Sequence, residues 1–187
     1  VKIGLVRHFK VKKDNPGMAL LSQKEVMQWF AEYDEADVKT GEVDLGGISW
    51  TRCYASDLPR AVKTAETIYD GENIRTAALR EIPIYPVFRG EAKMPFWCWA
   101  FILRVAWLLN HPSQLEGKKA VQARISTLLD DTLLKGGEDV LIVGHAAFML
   151  FMRKELVNRG FRGPALRTIA NGRLYVFEKA EGSEIGL

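Results

Sequence analysis

Short apolar runs alternate along this chain with longer stretches of helical periodicity, and that alternation does most to restrict the fold. Runs of this kind pair in parallel only if a crossover segment carries the chain back, and helical crossovers bury both faces of the sheet. Strands are expected at 3–6, 52–55, 82–87, 140–143 and 174–178. A helix start is marked where Ser22 precedes Glu25 as a capping box, and another where Asp57 stands before Leu58-Pro59. Residues 116–135 read as a long amphipathic helix with Val121, Ile125, Leu128 and Leu129 on one face, ending at Gly136-Gly137. A further helix, 146–158, follows the buried run VLIV and Gly144-His145. The expected architecture is α/β, a three-layer sandwich whose mostly parallel central sheet carries helices on both faces.

With 187 residues, 48% of them hydrophobic, the chain suffices for one sizeable core, so residues 1–187 are expected to form one domain. Charges of both signs are interspersed and the net charge is only +3, unlike the concentrated basic stripe of a nucleic-acid binder. A small anionic ligand fits that balance. Cys53 and Cys98 stand isolated, with neither metal-ligand spacing nor a disulfide framework, which points to core packing in a reduced, cytoplasmic compartment. The chain begins directly on VKIGLV, with no export leader in view. The aromatic stretch 95–110 is interrupted by Arg104 and falls short of spanning length, so no membrane segment is expected. The tail AEGSEIGL, 180–187, lacks periodicity and is expected to fray.

The chemistry lies at strand ends. Arg7-His8 closes the first strand, where open α/β sheets expose reactive side chains. A guanidinium beside an imidazole lowers its pKa and keeps it neutral, as a nucleophile requires, and can itself hold a phosphate by paired hydrogen bonds. Alone, the dipeptide reads equally as a solvated surface pair. In YASDLPRAVKTAETI, Arg60 falls in the first turn of a helix just after a strand, so backbone N–H groups and a guanidinium can meet one anion; the plain alternative is a surface salt bridge. His145 sits at the carboxyl end of another strand, where a buried histidine bonded to backbone is the ordinary alternative.

Three separated motifs together resemble the histidine phosphatase superfamily, also called phosphoglycerate mutase-like. LVRH at 5–8 resembles the family's opening motif, SDLPRAVKTAETI at 56–68 follows its second almost residue for residue, and LIVGHAAFM at 141–149 is similar to the segment carrying the second histidine. LREI at 79–82 adds the place where many members keep an acidic proton donor. The resemblance implies His8 as nucleophile, Arg7 and Arg60 as phosphate clamps, His145 as a further donor to the phosphoryl group and Glu81 as general acid. Phosphoryl transfer asks chiefly for in-line positioning and cationic donors, so no metal or cofactor is implied.

The chain departs from the pattern in places. Phe9 stands where the family usually keeps glycine, and a ring there changes how closely the backbone can approach an anion. Asp14 holds a position often occupied by asparagine, with Asn15 next in line for that contact. After LREI the usual continuation is replaced by IPIYPVFRGEAKMP, which offers Arg89 and Lys93 as anion contacts or as ordinary surface charges. In 95–110, Trp97, Trp99, Phe101 and Trp107 suit a lid with Arg104 turned to the phosphate, a core helix or a homodimer contact. The resemblance also implies a phosphatase rather than a mutase, since mutase relatives generally carry longer insertions between the second and third motifs, and the acid at Glu81 favours small phosphomonoesters as substrates. A phosphohistidine-protein phosphatase and a phospholigand-binding module without turnover stand as alternatives.

Overall fold

The structure, a computed structural model, describes residues 1–88, 90–133 and 135–179. Alternation of side chains along β1 (Lys2–Arg7), β3 (Arg52–Ser56) and β6 (Val140–Gly144) divides their apolar residues between two faces of one sheet. Ile3, Leu5, Val140 and Ile142 pack against α4 (Lys118–Leu128) and α5 (Ala146–Asn158). On the other face Val6, Cys53, Ala55, Leu141 and Val143 meet Ala61 and Ala65 of α2 (Pro59–Ile68) and the ring of Trp50. Gly4 is required there, since a Cβ would stand 2.7 Å from the Trp50 ring.

With β4 (Asn73–Thr76) and β7 (Leu174–Glu178), the strands run in the order β4-β3-β6-β1-β7. Every neighbouring pair is parallel except β1 with β7 at the edge. This is the expected mostly parallel sheet with helices on both faces. Because β1, β3 and β6 point the same way, the segments leaving them emerge along one edge, and the register opposes Arg7 to Gly144.

A second, two-stranded antiparallel ribbon pairs β2 (Leu20–Ser22) with β5 (Lys93–Pro95). Each strand runs straight into a helix, β2 into α1 (Gln23–Glu35) and β5 into α3 (Phe96–Leu108), so the pairing sets those helices side by side. Val26, Phe96, Trp99 and Leu103 form their shared core. The capping box forms as read: Ser22 Oγ accepts from Glu25 N at 3.3 Å and Ser22 N donates to the Glu25 carboxylate at 2.7 Å.

Two expectations are corrected. Residues 82–87 are not a strand. Pro83 and Pro86 remove two donors, and buried glutamines take the place of a neighbouring strand. Gln23 Oε1 accepts from Val87 N at 2.9 Å and Phe88 N at 3.0 Å, while Gln114 accepts from Tyr85 N at 3.1 Å and donates to Tyr85 O at 2.8 Å. Replacing Gln114 by alanine should therefore cost about 1–3 kcal/mol, measurable by urea unfolding, because a part-buried N–H and C=O lose their partner together. Second, the helix expected over 116–135 is α4 followed by a wide π turn, Leu129–Leu133; residue 134 lies outside the described residues. Its apolar face is as read, with Val121, Ile125, Leu128 and Leu129 all buried. The helix start read at Leu58-Pro59 is as expected, with Leu58 the cap residue of α2 and Pro59 opening the helix, while Asp57 takes Arg80 through both oxygens at 2.6 Å. The tail 180–187 also lies outside the described residues.

Candidate active site

His8 follows β1 directly, and its backbone N donates to Gly144 O at 3.0 Å, which locks it beside His145. The two imidazole centroids are 5.2 Å apart. A relay of hydrogen bonds ties this corner to α2: Phe9 N donates to Thr64 Oγ1 at 2.9 Å, and Thr64 Oγ1 donates to Arg60 O at 2.7 Å. Asn171 Nδ2 donates to His8 O at 2.8 Å from the opposite side. The small residues Ala61 and Ala65 let α2 sit close on the sheet, so Arg60 in its first turn is carried inward and is 3% exposed.

His8 Nδ1 lies 2.7 Å from Phe9 O, a contact that requires the proton on Nδ1 and leaves the Nε2 lone pair available. Burial, opposed by that carbonyl and reinforced by Arg60 and Arg7, pushes the His8 pKa down to about 3. His145, 1% exposed, is held well below the usual histidine range by burial first and by the nearby Arg60 next. Both rings are neutral at pH 7.

The cationic groups retain unused donors. Arg7 Nη1 donates to Ile169 O at 2.8 Å, and Arg60 Nη1 donates to Asp34 Oδ1 at 2.7 Å, with Arg60 lying over the Tyr33 ring at 5.3 Å. The Nε atoms of Arg7 and Arg60 and both ring nitrogens of His145 are buried without a partner. Each such group costs about 1–3 kcal/mol of desolvation, so their gathering beside His8 marks a place that an anion would satisfy.

Glu81 faces the same place from the irregular segment after the 3-10 turn Ala77–Leu79. Its Oε1 accepts from Phe148 N at 2.9 Å and from its own neighbour Ile82 N at 3.0 Å, while Oε2 accepts only from Ala147 N at 3.2 Å. The carboxylate thus caps the start of α5 and keeps acceptor capacity on Oε2.

Arg7, His8, Asn15, Arg60, Glu81, Arg104 and His145 all line one cavity of about 1240 Å³. Each described residue given a catalytic or substrate-binding role is therefore on its wall; Lys93, offered beside Arg89 as an anion contact, is an exposed residue of β5 away from it, and Arg89 lies outside the described residues. Asn15 is exposed at the rim and spends its Oδ1 on Gly17 N at 2.8 Å. Phe9 is absent from the wall. Its ring is buried against Val11 and Val38, with Gly172 close enough that a Cβ there would stand 3.0 Å from it. The residue in the usual glycine position thus turns its bulk away from the anion site. Sequence reasoning missed Tyr33 and Asp34, whose approach to Arg60 spans 26 residues and has no local signal. It also missed Thr64, which lies inside the quoted second motif. Among the described residues no cluster of three His, Cys, Asp or Glu side chains is placed to hold a metal ion, and no helix is long and apolar enough to cross a membrane.

The depressed His8 pKa has a consequence for stability. The unfolded chain takes up a proton near pH 6.5 that the folded site refuses until about pH 3, so the His8 contribution is complete above 6.5 and is lost as pH falls. A difference of that size is worth roughly 4–5 kcal/mol by pH 3. Urea unfolding between pH 7 and 4 should show a shallower pH dependence in His8→Ala than in the native sequence. Parallel slopes would mean that His8 protonates as freely folded as unfolded.

A family model described as the histidine phosphatase superfamily (branch 1) matches residues 38–185, a span that includes Arg60, Glu81 and His145 and begins after His8. Among solved structures, the alpha-ribazole phosphatase from Shigella flexneri is 16% identical with a TM-score of 0.56, over 97% of this chain and 92% of that one. Phosphoserine phosphatase from Entamoeba histolytica, in complex with 3-phosphoglyceric acid, is 16% identical with a TM-score of 0.55, over 94% of this chain and 89% of its own. YhfR of Bacillus stearothermophilus is 22% identical, with a TM-score of 0.52 over 84% of this chain and 80% of its own. At these identities the likeness establishes the fold. No curated protein matches the chain.

Proposed function

Since the chain belongs to the histidine phosphatase superfamily, we propose that it hydrolyses phosphomonoesters through a phosphohistidine on His8. The supporting observation is the set of buried, unpartnered nitrogens on Arg7, Arg60 and His145 around a neutral imidazole. In the first step His8 Nε2 attacks phosphorus as the ester P–O bond breaks, and Glu81 gives its proton to the departing alcohol oxygen. Arg7, Arg60 and the His145 N–H hold the non-bridging oxygens, where charge accumulates. In the second step Glu81 takes a proton from water, the water oxygen attacks phosphorus, and the P–N bond breaks to return neutral His8 and release phosphate. A nucleophile that stays unprotonated to about pH 3 lets this chemistry continue on the acidic side, as in an acid-type phosphatase. The free thiols of Cys53 and Cys98 accord with a reducing, cytoplasmic setting.

The test is incubation with a ³²P-labelled phosphomonoester, followed by an alkaline quench. Label on the protein that survives base, is lost in acid and is absent from His8→Ala is the expected result. Failure both to label and to release phosphate from p-nitrophenyl phosphate above background would overturn the reading.

A further inference from the structure

The phosphoryl group accounts for one end of the cavity. Much of the remaining wall is hydrocarbon and aromatic: Phe30 from α1, Phe96, Phe101 and Trp107 from α3, and Leu150 and Phe151 from α5. A space of about 1240 Å³ exceeds the ~300–1,000 Å³ usual for pockets that enclose drug-sized ligands, so it has room for a phosphate and a sizeable attached body. Apolar residues of the lining also face water: Phe101 is 66% exposed, Leu150 46% and Leu108 44%.

Helix α3 explains why this surface is uncovered. FWCWAFILRVAWL is apolar at every position but Arg104, and Phe96, Trp99, Leu103, Ala106 and Trp107 already fill the interior side. A helix apolar on all sides belongs in a buried setting, so its outer side calls for an apolar cover. Because Phe101 and Leu108 of that outer side line the same cavity as His8, the cover available in place is the body of whatever molecule brings the phosphate.

Lys13, Asp34, Arg80, Arg104 and Lys154 also stand on the wall, and the first three of these are already engaged in ion pairs. Lys13 is taken by Glu32 at 2.7 Å and Arg80 by Asp57 at 2.6 Å, while the α1 carboxylate Asp34 is taken by Arg60. A leaving group rich in ammonium and carboxylate groups would displace those pairs. A hydrocarbon body disturbs none of them.

We propose that the substrate is a phosphomonoester with a bulky apolar leaving group, bound with its phosphate at His8 and its hydrocarbon body along α3 and α5. This rests on the phosphatase reading and names the substrate class of the same site. Burial of hydrocarbon contributes about 0.8 kcal/mol per methylene, close to fourfold for each one that is fully enclosed.

The experiment compares esters matched in leaving-group reactivity: phenyl with 1-naphthyl phosphate, and ethyl with n-octyl phosphate. The kcat/KM should rise roughly 10- to 100-fold within each pair, with octyl phosphate ahead of phosphoserine and 3-phosphoglycerate. In Phe101→Ala, a change at an exposed position that folding tolerates, the octyl-to-ethyl ratio should fall about tenfold. Calorimetry with non-hydrolysable ethylphosphonate and n-octylphosphonate reads the same preference without turnover. Equal values within each pair, a lead for phosphoserine or 3-phosphoglycerate, or a Phe101→Ala effect confined to self-association would overturn the proposal. Turnover of no ester, with octylphosphonate still bound more tightly, would overturn the hydrolytic reading and leave the apolar subsite standing.

Discussion

Replacing His8 by alanine is expected to lower kcat/KM for any phosphomonoester by about 10⁴-fold or more, the scale of loss when a covalent nucleophile is removed. The magnitude follows from how completely this corner is arranged around one atom. Phe9 O fixes the tautomer, Gly144 O fixes the backbone, and burial together with two guanidinium groups keeps the ring neutral. None of these features supplies a second nucleophile. His145 is within contact distance of the first ring, yet its nitrogens are enclosed among the donors and face the same anion site. The measurement is steady-state hydrolysis of p-nitrophenyl phosphate beside circular dichroism of the variant. Residual activity within about tenfold of the native sequence, in a folded variant, would mean that water is activated directly and that no phosphohistidine lies on the route.

A Glu81→Gln substitution should produce a split response. With an alkyl phosphate, whose alcohol leaves poorly without a proton, kcat should fall about 10²- to 10⁴-fold. With p-nitrophenyl phosphate the first step needs little protonation, so a rapid burst of p-nitrophenol should precede a slow phase limited by hydrolysis of the phosphoenzyme. The hydrogen bonds of Glu81 make this a sharp test, because the same carboxylate also caps α5 through Ala147 N and Phe148 N. If capping were its entire role, the variant would lose on the order of 1 kcal/mol of stability and its activities on the two ester types would fall in parallel. Separation of the burst from the steady state is what a purely structural glutamate cannot produce.

The convergence of the candidate site residues is more legible in the sequence than the elements around them. Arg7-His8, Arg60 and His145 all follow parallel strands, so a pattern that locates strand ends also locates them. The capping box before α1 and the span of α5 were equally readable because both are encoded by neighbouring residues. Residues 82–87 misled for a physical reason. Their β-branched and aromatic content suits an extended chain, but their hydrogen-bond partners are the side chains of Gln23 and Gln114 rather than another strand. The pairing of β2 with β5 joins residues more than 70 positions apart through three-residue strands too short to leave a period. Phe9 could not be judged from its position because its effect depends on χ angles set by Val11, Val38 and Gly172.

The bond between Asp34 and Arg60 has a further implication. Helix α1 presents Trp29 and Phe30 to the apolar part of the cavity and, a turn later, holds Arg60, the arginine proposed to grip the phosphate, through Asp34 and Tyr33. The two ends of a ligand therefore lean on the same rigid rod. Their binding free energies are not independent sums: a body that displaces α1 also reorients Arg60, and a phosphate that draws Arg60 from Asp34 relaxes α1. Redesigning the cavity for a different leaving group thus means retuning the grip on the anion in the same round of changes.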